Sequence, residues 1–357
     1  MKKYCSLYID LLRIFAALGV FLGHFSMKYF SNFTMMPFGI AHYCVVVFFV
    51  LSGYLICFTT TRNKKTLREY TSDRFSRLYS IIFPALIFTY LLDGIGLLLN
   101  QPAYLNFINP SYQWLKFGVN LIFLQQSSFF NTNPSTNNPF WSLSYEFWYY
   151  AFFGAYLYLT KWKRAVILIL IAGIMGIKIA MLFPVWLFGA SAFYLSLKIK
   201  VNTSTAIIFV LLTMAVLVWM FATHFRPFPQ LGKIGFAPFY YSADVFNDTL
   251  YGFILALNLL SISLLKVDWK GLPESAENKI KYISAATFSL YVFHFPIMVF
   301  MKAVINYDSS NIFQVCAVLF FILSFILVIS GWLEKSRKSY SNFFNKLFQV
   351  RKKSYGS

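Results

Sequence analysis

Along most of the chain, apolar residues come in runs of about twenty, separated by short stretches rich in charge or in Pro, Gly and Asn. A helix needs roughly 20 apolar residues to cross a bilayer. On that measure the pattern predicts ten spans, near 7–29, 38–60, 78–99, 140–159, 165–183, 184–199, 204–222, 248–267, 283–305 and 312–333. The sixth is short. Stretches such as 165–176 and 312–332 are apolar on every side, whereas a transmembrane β-strand alternates. The expected fold class is therefore all-α, a polytopic transmembrane helical bundle.

The placement of Lys and Arg gives an independent check, because cytoplasmic loops carry an excess of both. With the amino terminus placed in the cytoplasm, 24 of the 31 fall on that side, from Lys2 and Lys3 to the seven in the tail. Lys28, Lys116, Arg226 and Lys233 fall on the other side, and Arg13, Lys178 and Lys302 within spans. Ten helices with both termini cytoplasmic satisfy the rule. The expected organisation is one membrane domain over 1–357, ending in a basic tail at 334–357. The amino terminus reads as an uncleaved first helix, since Arg13 interrupts its apolar run and no A-x-A site follows.

Composition agrees: 59% of residues are hydrophobic and only 12% charged, against about half and a quarter in soluble domains. A net charge of +19 raises nucleic-acid binding, but the basic residues form no continuous stripe and topology accounts for them. Four isolated cysteines without a CxxC spacing point to neither a metal nor a redox pair. The long outer connection, 100–139, is rich in Asn and Pro and has the length of a loop that covers a site. Residues 114–124 within it have the character of an interfacial stretch, and a second outer connection, 223–247, is placed to share the same mouth.

Charges at membrane depth cost a few kcal/mol each, so those that persist are functional candidates. In the first span Asp10, Arg13 and His24 stand at steps of three and eleven. At about 100° per residue, eleven steps make three turns plus some 20°, so the three share one face. His24 then lies roughly 16 Å beyond Arg13, where a neutral imidazole can serve as a base or relay, or simply bond to a neighbour. Arg74 and Arg77, leading into the third span, form an i,i+3 pair suited both to phosphate capture and to plain cytoplasmic anchoring. Glu146 sits among aromatics in Trp141-Ser-Leu-Ser144-Tyr-Glu146-Phe-Trp148-Tyr149, where a sugar hydroxyl, a His or an Arg could be its partner. His294 follows Ser289-Leu-Tyr291 and stands just before Pro296.

Five blocks in order resemble the acyltransferase 3 superfamily of bacterial membrane acyltransferases: Asp10-x-x-Arg13-x-x-Ala16-Ala17 with His24; Phe48-Phe-Val-Leu-Ser52-Gly53; Arg74-x-x-Arg77-Leu-Tyr; Trp141-Ser-Leu-Ser144-x-Glu146-x-x-Tyr149; and Ser289-Leu-Tyr291-x-x-His294. Two positions depart from many relatives: Val46 where an acidic residue is common, and Ser80 where Pro is common.

The resemblance implies a ten-helix enzyme of the bacterial plasma (inner) membrane. Its activity is expected to be O-acetyl transfer from cytoplasmic acetyl-CoA, without a metal, to a hydroxyl of a cell-surface carbohydrate. His24, Glu146 and Arg13 then match catalytic positions. Arg74, Arg77, Asp10, Ser52 and Gly53 match the donor side, and Trp141, Ser144, Tyr149, Tyr291 and His294 the acceptor side. The expected partners are acyl-CoA, a glycan acceptor and the bilayer, with no nucleic acid. A proton-coupled secondary transporter or flippase for a sugar-containing substrate is the rival, but the matched broken-helix repeats typical of that class are not evident.

Overall fold

The computed structural model describes residues 2–37, 39–234, 239–267 and 271–350. Phe38 at the start of the second expected span, Lys270 and the last part of the tail, 351–357, lie outside them. Ten α-helices follow in order: α1 Lys3–Phe25, α2 Ile40–Asn63, α3 Leu67–Leu105, α4 Gln113–Leu121, α5 Trp141–Tyr158, α6 Lys161–Lys198, α7 Thr203–Thr223, α8 Val245–Leu264, α9 Glu274–Phe300 and α10 Ile312–Leu347. There is no strand among the described residues. Eight of these helices are long and apolar enough to cross a membrane, α4 and α5 being the exceptions.

One boundary differs from the sequence pattern. The pair of spans expected at 165–183 and 184–199 is a single element, α6, broken at Gly176 rather than at Pro184. Gly176 has φ 68° and ψ 178°, a conformation essentially confined to glycine, and a Cβ there would meet Ser128 Oγ at 2.4 Å. Pro184 sits inside the second arm, 177–198. The two ends of α6 lie at the same end of the bundle. Arg164 covers the Tyr156 ring near the end of α5, whose Tyr158 packs on Tyr70 in the first turn of α3. Ser196 and Lys200 share a cavity with Lys2 and Arg62. Gly176 sits at the opposite end, against the outer connection. With α6 crossing twice the eight apolar helices make nine passages, and the 18-residue α5 makes the tenth.

The packing order positions the site. α1 lies between α2 and α9; α2 also packs on α6 and α8; α3 packs on α9 and α10. Close approach of α2 and α6 rests on Gly53 and Gly189, whose added Cβ atoms would meet Trp186 O at 2.0 Å and Val50 O at 1.9 Å. Small residues at membrane helix interfaces serve this purpose, because dispersion rather than hydrophobicity holds such helices together. α3 begins at a capping box formed by Thr66 and Glu69, well before residue 78, so Arg74 and Arg77 belong to the helix itself. α10 runs on to Leu347, past the expected start of the tail at 334, because Phe344 is buried against Phe75 and Tyr79 of α3.

The outer connection does more than cover a surface. After α4, which leaves Trp114 77% exposed, the chain dips between α3 and α5. Tyr79 Oη donates to the Leu121 carbonyl (2.9 Å), while Ser144 Oγ and Trp148 Nε1 donate to the Phe123 carbonyl (2.7 and 2.9 Å). Phe123 stacks on Phe147 at 4.4 Å, and Gln125, Gln126 and Asn137 are fully buried. Irregular backbone survives at membrane depth only where protein surrounds it, and here side chains of α3 and α5 supply the donors.

Candidate active site

α1 and α9 run side by side from their amino-terminal ends, linked first by Lys3 and Glu277 (2.8 Å). The polar face of α1 looks at α9 throughout. Ser284 Oγ donates to Asp10 Oδ1 (2.7 Å), Arg13 lines a cavity with Thr287, Phe288 and Tyr291, and His24 meets His294. Asp10 and His24 thus bond directly to α9, while Arg13 between them faces the cavity.

The cavity, about 60 Å³, is lined by α1, α2, α3, α5 and α9. It brings together Arg13, Ser52, Arg77, Glu146, Tyr150 and Tyr291. Ser52 and Tyr150 hydroxyls both donate to Glu146 Oε1, the former at 3.2 Å, and Trp186 Nε1 donates to Ser52 Oγ (3.2 Å). The carboxylate is therefore held by neutral donors, not by a cation. Neither Arg13 nor Arg77 forms an ion pair or a side-chain hydrogen bond among the described residues. Two guanidinium groups with unspent donors around a narrow space make an anion-accepting lining. Arg74 stands behind it: its guanidinium lies 5.8 Å over both the Tyr70 and Tyr150 rings, and its buried Nε has no partner.

One helical turn beyond Tyr291 lies the imidazole pair. His294 is fully buried, and its Nδ1 is 2.9 Å from the Leu290 carbonyl. A carbonyl only accepts, so Nδ1 carries the proton and the neutral ring has a bare Nε2. That nitrogen is 2.9 Å from His24 Nδ1, which must donate to it. His24 is thereby left with an unprotonated Nε2 on a half-buried ring, packed edge-on to Phe295 at 5.4 Å. This is the tautomer a general base or nucleophile requires. His24 does not line the cavity; the Tyr291 ring, 6.3 Å from that of His294, stands between.

The other residues of the motif blocks are spent largely on packing and structural hydrogen bonds. Asp10 is held by Ser284 outside the cavity lining, and Gly53 faces α6. Ser144 is spent on the inserted loop, and Tyr149 Oη donates to the Ile179 carbonyl of α6 (2.9 Å). Trp141 is buried, stacked on Tyr241 at 4.4 Å and near-parallel to His42 at 6.0 Å. Tyr291 Oη donates to the Pro139 carbonyl and accepts from Ser142 (both 2.6 Å). The two outer connections meet here too, where Asn133 Nδ2 donates to Tyr241 Oη (2.9 Å).

A second polar cluster escaped the motif reading. His42 Nε2 lies 2.9 Å from both oxygens of fully buried Asp248, while Tyr43 Oη donates to Asp244 (2.8 Å) and Arg226 approaches the same carboxylate at 3.9 Å. It ties the outer ends of α2 and α8. Its signal was available as two carboxylates four residues apart at the head of an apolar run. No group of three or more His, Cys, Asp or Glu side chains able to hold a metal ion occurs among the described residues.

The site so described is a transmembrane helical bundle with a paired imidazole and two half-buried, unpaired arginines along one seam. The profile of the acyltransferase 3 family, an acyltransferase domain, matches residues 6–333, nearly the whole chain, and the protein belongs to that family of membrane acyltransferases. No curated protein and no solved structure matches it.

Proposed function

We propose that this single-domain protein is an O-acetyltransferase of the bacterial plasma membrane, moving acetyl from cytoplasmic acetyl-CoA to a hydroxyl of a cell-surface carbohydrate. The observation that carries the reading is the seam itself. Unpaired Arg13 and Arg77 line a narrow cavity that ends at Tyr291, and the correctly protonated His24 lies one turn beyond. Arg77 and Arg74 lie toward the cytoplasmic end of α3, where they meet the donor's phosphates. The long, uncharged pantetheine arm enters the cavity that the nucleotide cannot, and displacement of the Tyr291 ring opens its inner end to His24.

In the proposed step His24 Nε2 takes the proton of the acceptor hydroxyl as its oxygen attacks the thioester carbon. The C–S bond breaks, and the imidazolium returns the proton to the departing thiolate. His294 holds the ring and accepts from Nδ1 throughout. Glu146, gripped by Ser52 and Tyr150, orients the acceptor.

The test is transfer of labelled acetyl from acetyl-CoA by the purified protein in lipid nanodiscs, with mass spectrometry of surface glycans from cells with and without the gene. An acetyl adds about 42 Da to the acceptor. Unchanged glycans together with no acetyl-CoA turnover by the pure protein would remove this reading.

A further inference from the structure

On the side of α2 turned away from the catalytic seam, a second cavity of about 580 Å³ opens among the cytoplasmic ends of α1, α2, α6 and α8. Four cations ring it: Lys2, Arg62, Lys200 and Lys266. Its lining includes no Asp or Glu, and Arg62, Lys200 and Lys266 form no ion pair among the described residues. Lys2 is fixed in place, its ammonium donating to the Ser263 carbonyl (3.4 Å) and to that of Leu265 at the end of α8. The Arg62 guanidinium lies over the Phe58 ring at 5.8 Å.

The floor is polar and neutral, with Tyr54 Oη 2.7 Å from Ser263 Oγ and Cys5 Sγ beside both. The wall is apolar, formed by Phe58, Phe193, Leu197 and Ile199. Positive helix ends are ordinary on the cytoplasmic side. What distinguishes these four is convergence on one cavity that also offers hydrocarbon, the two halves of an amphiphile's requirements.

We propose that this cavity binds the phosphate head of an anionic phospholipid of the cytoplasmic leaflet, with Arg62, Lys200 and Lys266 closing on the phosphate and the acyl chain lying along Phe193, Leu197 and Ile199. The three cations are exposed, so their removal leaves the fold intact. α2 is the wall common to both cavities: Ser52 faces the catalytic one and Tyr54 this one. A bound lipid therefore braces the helix that holds Glu146 in place.

The experiment is native mass spectrometry of the full-length protein released from nanodiscs of phosphatidylglycerol and phosphatidylcholine mixed in equal parts. Wild type is expected to retain one phosphatidylglycerol. The triple variant R62A/K200A/K266A should lose that preference by on the order of a hundredfold, at roughly fivefold per cation. A control triple of equal charge, K163A/K335A/K338A, which removes cytoplasmic cations outside the cavity, should keep it. Equal loss in both triples reduces the effect to diffuse surface charge and overturns the proposal. So does displacement of the lipid by inorganic phosphate, which would reassign the cavity to a free phosphate. None of these readouts depends on acetyl transfer, so the outcome stands apart from that of the catalytic reading.

Discussion

Nε2 of His294 lies 2.9 Å from Nδ1 of His24, and because the other nitrogen of His294 faces a backbone carbonyl, this contact dictates where both protons sit. The arrangement parallels a base held by an orienting acceptor, with a second imidazole where a carboxylate is more familiar.

Replacing His24 by Ala should lower acyl transfer by about 10²–10⁴, the usual worth of a positioned general base. Thermal stability in detergent should hold, since His24 is only half-buried. Transfer at the wild-type rate by a folded H24A protein would exclude His24 from the chemistry. As a base, His24 is competent only when neutral, so the wild-type rate should fall on the acid side of its titration, and the pH profile of kcat reads this directly.

His294→Ala should depress kcat about tenfold, the equivalent of one lost hydrogen bond of ~1.4 kcal/mol, while the KM for the acyl donor stays within twofold. His294→Gln can present a carbonyl oxygen to His24 Nδ1 and should recover part of the loss. A purely structural His294 would show no such rescue.

Arg77→Ala should raise the donor KM by roughly ten- to a hundredfold, as expected for a hydrogen bond to a charged group worth about 1.5–3 kcal/mol. Arg77→Lys should restore only part of it, since a point charge lacks the two-pronged geometry. Donor binding by isothermal titration separates this from any effect on kcat. An unaltered dissociation constant in R77A would place the nucleotide elsewhere.

Gly176→Val should destabilise the protein by more than the ~1–3 kcal/mol typical of a strained backbone residue, because its side chain must also displace Ser128. The loss should appear as a lower melting temperature and reduced membrane accumulation. Pro184→Ala, inside the second arm of α6, should be close to neutral by comparison.

Much of this architecture was legible from the chain. The ten passages, the common face of Asp10, Arg13 and His24, and the five motif blocks all follow from residue type and spacing. Two features were not. The break in α6 was hidden because Pro184 is the stronger punctuation, while the turn rests on a glycine whose role depends on Ser128, a residue distant in sequence. The burial of Phe123, Gln125, Gln126 and Asn137 was hidden because the Asn, Gln and Ser content of this stretch reads as solvated loop, and it is Ser144 and Trp148 that take up the Phe123 carbonyl. Sequence alone allows a sugar, a His or an Arg as the partner of Glu146. The hydroxyls of Ser52 and Tyr150 are what grip it, and nothing in linear spacing selects them.

His24 and His294 stand 270 positions apart. At about 5–20 residues per second of synthesis, tens of seconds separate the arrival of the two helices in the bilayer. Throughout that interval α1 must keep Asp10 and Arg13 away from lipid without α9 beside it. The seam between α1 and α9 is thus among the last contacts to close during biogenesis, and until then α2 is the neighbour that packs against α1.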